Sequence, residues 1–193
     1  MNKALLPFLA TLFLTVGVVA QDQPRVEIFG GYSLESIIPC GAGCRDAGES
    51  FPLTNFNGWN ASVTGYLYKS LGITANFGGY YASHIVYDPV VGGHRYSYMF
   101  GPSYSLRGSV GSLFVHGLFG QIKQGSDQLS DLNYTKFAWG FGGGLDINVN
   151  GRLAIRIVQL DYERTKVPTF GFAPGATQTV TGLRYSGGVV IKF

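Results

Sequence analysis

Charge is the scarcest commodity in this sequence. Asp, Glu, Lys and Arg make up 13% of its 193 residues, against about a quarter in an ordinary soluble domain. What charge there is nearly cancels, at a formal +3, so no basic surface for nucleic acid is available and nucleic acid is excluded as a partner. Cysteine is close to absent as well. The only two, Cys40 and Cys44, frame Gly-Ala-Gly, and no His, Asp or Glu pattern nearby completes a metal site around them. Long apolar runs are missing beyond the first twenty residues. No later stretch approaches the roughly 18 uninterrupted apolar residues of a membrane-spanning helix.

What is abundant is equally pointed. The chain is 46% hydrophobic and holds 29 Gly, 14 Phe and 12 Tyr. The amino terminus pairs a short basic head, Asn2-Lys3, with an apolar run from Ala4 to Val19 broken only by Pro7, Thr11, Thr15 and Gly17. Small residues Val18-Val19-Ala20 then precede polar Gln21-Asp22-Gln23-Pro24. This order is that of a cleavable secretory signal peptide over 1–20, leaving a single domain over 21–193. No Cys follows the cleavage site, so an N-terminal lipid is not expected. A secreted, charge-poor chain rich in Gly and aromatics, with no helical periodicity, points to β structure in apolar surroundings.

Eight alternating segments carry that β structure, at about 25–34, 57–68, 71–82, 95–106, 112–124, 134–147, 152–163 and 180–193. Each is near or above the roughly 9–11 residues that a tilted strand needs to cross a bilayer. Trp59, Ala61, Val63, Gly65 and Leu67 alternate with Asn60, Ser62, Thr64, Tyr66 and Tyr68. In the sixth segment Phe137, Trp139, Phe141, Leu145 and Ile147 alternate with Lys136, Ala138, Gly140, Gly142, Gly144 and Asp146. One face is apolar and free of charge; the other holds the small polar residues and the charges.

Two barrels fit such parity. A soluble lipocalin-like barrel turns its apolar face inward, whereas a membrane barrel turns it to lipid around a polar lumen. Connection lengths decide between them. The connections at about 35–56, 83–94, 125–133 and 164–179 are long, and those at Lys69-Ser70, Leu106 to Gly111 and Asn148-Val149-Asn150-Gly151 are short. With both termini at one end, every long connection falls on the opposite rim, which is the outer-membrane arrangement of short periplasmic turns and longer extracellular loops. The expected fold is an all-β, eight-stranded antiparallel up-and-down transmembrane barrel in the bacterial outer membrane.

Three segments depart from strict alternation. In the seventh, Leu153, Ile155 and Ile157 share one parity and Leu160 and Tyr162 take the other, so a bulge near Val158-Gln159 is expected. In the fifth, "SLFVHGLFGQIK" is apolar on both parities and its register stays open. Pro102 lacks a donor and marks a further candidate bulge.

The chain closes on "SGGVVIKF", with Phe193, Ile191 and Val189 on one parity. A terminal Phe with apolar residues two and four places before it is similar to the C-terminal recognition signal of bacterial outer-membrane barrels. "VEIFGGYS", "NGWNASV", "GPSYSLR" and "FGGGLDI" resemble the small OmpA-like barrel-only proteins, from about Arg25 to Phe193. The resemblance implies that the barrel-assembly machinery reads Val189, Ile191 and Phe193 by strand pairing. The peptidoglycan-binding domain that OmpA carries has no counterpart, so cell-wall tethering is not implied.

Candidate sites follow from this frame. Cys40 and Cys44, closely spaced in an oxidising compartment, are expected to form a disulfide that pinches the first long connection. Glu27, Lys136, Asp146, Arg152, Arg156, Arg184 and Lys192 are the candidate lumen charges. Glu27 and Lys192 share one rim on strands that must be neighbours if the barrel closes, and Asp146 and Arg156 lie on adjacent strands with Arg152 diagonal to them. They read as an ion-paired plug or as an ion pathway, and the narrow interior of an eight-stranded barrel favours the plug. Trp59, Tyr96 and Tyr98 are expected as interface anchors. Hydrolysis of acyl chains would need Ser, His and a carboxylate converging at one depth, from His84, His94 or His116. No catalytic residue, metal or cofactor is expected. The expected work is structural, adhesive or loop-mediated binding, with outer-membrane lipid and an extracellular loop ligand as partners. A small-solute or ion channel and a lipid-modifying enzyme are the alternatives.

Overall fold

The computed structural model describes residues 25–38, 54–85, 91–125, 133–168 and 177–193. The expected signal peptide and the Cys40/Cys44 pair lie outside the described residues. Eight strands follow in chain order: β1 (Val26–Ile38), β2 (Thr54–Tyr68), β3 (Leu71–Ile85), β4 (Val91–Arg107), β5 (Gly111–Gly125), β6 (Tyr134–Asn148), β7 (Leu153–Pro168) and β8 (Thr177–Lys192). Each pairs antiparallel with the next, and β1 pairs with β8 to close the barrel.

Up-and-down order puts the connections on alternate rims. Lys69-Ser70, the segment 108–110 and the segment 149–152 share a rim with Arg25 and Phe193. The connections 39–53, 86–90, 126–133 and 169–176 all leave from the other rim. A two-residue turn between right-twisting strands calls for positive φ, and Lys69 supplies it at φ 40°. In the turn before β7, the side-chain oxygen of Asn150 accepts the backbone N–H groups of Arg152 (2.9 Å) and Leu153 (2.8 Å).

The strands outrun the apolar alternation at the loop rim. β1 reaches Ile38, β4 begins at Val91, β7 continues to Pro168 and β8 begins at Thr177. Backbone pairing continues there, as in Ile37↔Thr54 and Lys166↔Thr179, although the outward side chains are no longer apolar. A strand leaving the bilayer keeps its ladder while losing the reason for greasy residues. The second connection accordingly shrinks from the expected 83–94 to 86–90.

The two faces are inverted relative to a soluble barrel. Ile28, Trp59, Phe77, Phe100, Phe141, Ile155 and Ile191 are exposed on the outside, whereas Glu35, Asn76, Arg95, Asp161 and Arg184 are buried within. Arg95 and Arg184 are among the largest fully buried side chains. An apolar outer wall around a charged interior is stable only against lipid.

The irregular segments resolve. The β7–β8 register shifts between Arg156 and Gln159, and the β6 pairing passes from Asp146↔Arg156 to Leu145↔Val158, so the bulge lies at Ile157-Val158. Beyond it Leu160 turns outward, and Asp161 and Glu163 turn inward. The fifth segment settles with Ser112, Phe114, His116, Leu118 and Ile122 inside. Pro102 makes no bulge. Phe100↔Phe119 and Ser103↔His116 keep one register, the ladder to β5 simply skips Gly101 and Pro102, and Pro102 faces outward. The outer face is also not free of charge. Lys123, Arg164 and Lys166 are exposed on it, because β7 extends through residues expected in a loop and because the register of β5 had stayed open.

Candidate functional site in the charged lumen

The interior is built from inward positions of all eight strands, and glycines make its space. Cβ atoms added to β6 would collide with its contents: at Gly142 with the Asp161 carboxylate, and at Gly144 with the Phe114 ring at 2.8 Å from Cζ. The "GFGGGLD" stretch is therefore a hollow into which side chains of the two neighbouring strands, β5 and β7, lean.

The charges stack in tiers along the axis. At the turn rim Glu27 accepts the Tyr66 hydroxyl at 2.7 Å and Arg107 Nη2 at 3.2 Å, while the Arg107 guanidinium lies 3.6 Å from the Tyr66 ring centre. Lys192 stands opposite Glu27 in the seam, yet its Nζ donates to Asn148 Oδ1 at 2.6 Å. Above it, Arg156 grips Asp146 with Nε at 2.8 Å and Nη2 at 3.0 Å, and donates Nη1 to Gln159 at 2.7 Å. The Arg156 guanidinium is held between the rings of Phe29 and Phe114, at 4.3 and 4.0 Å. Two forked bonds plus two ring faces leave this cation little freedom.

Asp161 is the hub of the next tier. It accepts Gln159 Nε2 (2.6 Å), Arg184 Nη2 (2.7 Å) and Arg184 Nε (2.9 Å), and bonds His116 Nε2 at 2.7 Å. Arg184 turns its other nitrogen to Glu163 (2.6 Å) and the Tyr80 hydroxyl (3.0 Å). Arg95 then joins Glu35 at 3.2 Å and Glu163 at 3.9 Å. Over this top tier Ile37, Phe56, Tyr80, Val167 and Val180 pack into an apolar cluster with Tyr134 against it. Glu27, Glu35, Asp146, Asp161 and Glu163 each have an arginine partner, and an apolar cluster lies at the loop end of the lumen.

Of the seven expected lumen charges, Glu27, Asp146, Arg156, Arg184 and Lys192 are buried in the interior. Lys136 is half-buried on the lumen face of β6 near the loop rim. Arg152 is a correction: it precedes β7 in the turn, is exposed, and contributes its backbone carbonyl to Lys192 N–H at 2.8 Å. Glu27 and Lys192 meet across the seam in register but do not form an ion pair, because Arg107 from β4 reaches Glu27 first.

Sequence reasoning missed Glu35, Arg95, Arg107, His116, Asp161 and Glu163. Carrying the expected bulge one step further would have turned Asp161 and Glu163 inward, and extending the Glu27 parity through Ser33 would have reached Glu35. The pairings across the lumen had no signal in the chain.

The remaining candidates sit as follows. Trp59 and Tyr98 are exposed on the outer wall, and Tyr96 beside them is half-buried, 3.3 Å from the Tyr81 hydroxyl. Val189, Ile191 and Phe193 face outward, and Phe193 is tied to β1 through its N–H to Val26 O (2.9 Å) and its O from Arg25 N (2.7 Å). Ser103 is paired in register with His116, which bonds Asp161, so one serine, one histidine and one carboxylate do gather at one depth. All three are buried inside the lumen, away from the lipid face.

No protein-family model and no curated protein sequence matches the chain. Solved structures do. Neisserial surface protein A aligns with a TM-score of 0.65 at 12% identity, over 88% of this chain and 97% of that one. Ail, the attachment invasion locus protein of Yersinia pestis, aligns at 0.53 with 17% identity, over 89% and 99%. The outer membrane protein OprG from Pseudomonas aeruginosa aligns at 0.53 with 9% identity, over 89% and 96%. At such identities the likeness is one of fold. The chain has the fold of the small outer-membrane barrels that its sequence resembles.

Proposed function

We propose that this outer-membrane barrel is a rigid scaffold that presents its loop-rim connections outside the cell for adhesion or partner binding. The observation that carries the reading is the lumen. Its buried carboxylates are held by arginines, and the apolar cluster of Ile37, Phe56, Tyr80, Val167 and Val180 lies at its loop end. A path for ions needs cations and carboxylates free to exchange partners, together with a wet mouth; here the paired groups stiffen the wall instead. With the interior committed to stability, the connections 39–53, 126–133 and 169–176 are the surface left for recognition. One fold neighbour, Ail, is an attachment invasion locus protein, and attachment is the kind of work that such presentation supports. The test is twofold. Purified barrel in planar bilayers is expected to give no defined single-channel conductance steps, and deleting a loop-rim connection is expected to abolish adherence of expressing cells without loss of the folded barrel. Regular conductance steps that vanish in an Arg184 variant would replace this reading with the channel.

A further inference from the structure

Outward charge is confined to one sector of the wall. Among the described residues, the strands β1, β2, β3, β4, β6 and β8 carry no outward Asp, Glu, Lys or Arg. β5 contributes Lys123 and β7 contributes Arg164 and Lys166, all three exposed and all near the loop rim. No strand places an acid on this outer face, and none of the three cations makes an ion pair or side-chain hydrogen bond among the described residues.

Their depth is set by register. Lys123 stands opposite Tyr96 on one side and Thr135 on the other. Arg164 stands opposite Trp139 and Thr181, and Lys166 opposite Thr179. The cations are therefore level with the aromatic belt, where the mid-bilayer penalty for Lys or Arg has largely fallen away. Between them β6 offers Phe137, exposed, and Trp139, half-buried. Neighbouring strands lie about 4.8 Å apart, so β5 and β7 run about 10 Å apart. Along β6, Arg164 stands four positions from Lys123 and Lys166 two, which keeps all three backbones within about 17 Å and lets their long side chains converge on one large headgroup.

Scattered rim lysines would merely reach toward water. Three unpaired cations on the two strands that flank β6, with aromatic rings between them, hydroxyls beside them and bare hydrocarbon such as Phe141 and Leu160 beneath, match a different object. That object is anionic at the headgroup and acylated below it. We propose that the β5–β7 sector binds the phosphorylated glycolipid of the outer leaflet, with phosphate on Lys123, Arg164 and Lys166 and acyl chains along Phe137 and Phe141. The proposal rests on the lipid-facing reading of the wall and goes beyond the role of the loops.

The test uses the full mature barrel in phosphatidylcholine nanodiscs doped with diphosphoryl lipid A, with lipid A stripped of both phosphates, or with phosphatidylglycerol. After extraction into mild detergent and repurification, lipid retained per barrel is counted by mass spectrometry. The barrel is expected to retain several-fold more diphosphoryl lipid A than either other lipid. Lys123→Gln/Arg164→Gln/Lys166→Gln is expected to lose that preference while keeping heat-modifiable gel migration, and Arg152→Gln at the opposite rim is expected to keep it. Equal retention of the stripped lipid or of phosphatidylglycerol, undiminished retention by the triple variant, or release of the lipid by inorganic phosphate would each overturn it. Failure of the barrel to insert at all would instead strike the membrane reading.

Discussion

Arg184 spreads one guanidinium over Asp161, Glu163 and Tyr80 while itself fully buried. Removing it leaves buried Asp161 with only His116 and Gln159, and buried Glu163 with only a long contact to Arg95, so Arg184→Met is expected to cost about 3–5 kcal/mol. Lysine is no substitute, because a single ammonium cannot bridge three acceptors in a plane. The check is urea unfolding of the refolded barrel in detergent, and adding Asp161→Asn should make the loss less than additive. If Arg184→Met unfolds at the wild-type midpoint, the tiers are not what holds the interior. Gly142 belongs to the same scale. A methyl group there must displace the Asp161 carboxylate, so Gly142→Ala is expected to destabilise by about 1–3 kcal/mol, the usual cost of overpacking. Alanine at outward Gly117, where nothing lies within 4 Å of an added Cβ, should be tolerated in the same assay.

The elements that matter most are the closing seam and the bulge. Glu27 and Lys192 are opposite one another across β1 and β8, yet the cation bound to Glu27 comes from β4. Double-mutant cycles should therefore find strong coupling between Glu27→Gln and Arg107→Met and weaker coupling between Glu27→Gln and Lys192→Met. The reverse order would mean that the seam, not the cross-lumen contact, holds Glu27. The seam also carries the terminal strand, whose outward Val189, Ile191 and Phe193 we propose as the segment read by the assembly machinery. Phe193→Ala is expected to slow appearance of folded barrel in cells while leaving the midpoint of refolded protein nearly unchanged, since the backbone bonds of Phe193 to Arg25 and Val26 survive the substitution. The bulge at Ile157-Val158 does more than repair a pattern. By flipping the parity of everything after it, it places Asp161 and Glu163 where Arg184 can reach both.

At the scale of the whole molecule, the barrel is a wall with lipid on one side and a salt-bridged interior on the other. Phe141 lies mid-strand on the exposed outer face of β6, and Phe141→Arg is expected to destabilise the barrel in bilayers by about 2–4 kcal/mol. Arginine at Val149, exposed in the turn of β6–β7, should be nearly silent by the same unfolding measurement. Equal tolerance at both sites would mean that the faces are assigned the wrong way round.

Strand number, antiparallel order, the lipid-facing side and the two rims were all legible in the chain, because each is written in local quantities. Period-2 alternation gives the faces, turn residues give the hairpins, and connection length separates one rim from the other. Parity put Trp59, Phe141 and Ile191 on the apolar faces of their strands, and connection length turned those faces outward. Strand ends were less legible, since backbone pairing outlasts the apolar pattern where β7 and β8 leave the bilayer, and this is what carried Arg164 and Lys166 onto the outer wall. The partners in the lumen were not legible at all. Arg107 reaching Glu27, Arg95 reaching Glu35 and His116 meeting Asp161 join strands far apart in the chain, and only closure of the barrel brings them to one depth. Local sequence sets which way a side chain points; which charge it finds there depends on curvature, bulge and register summed around the whole ring.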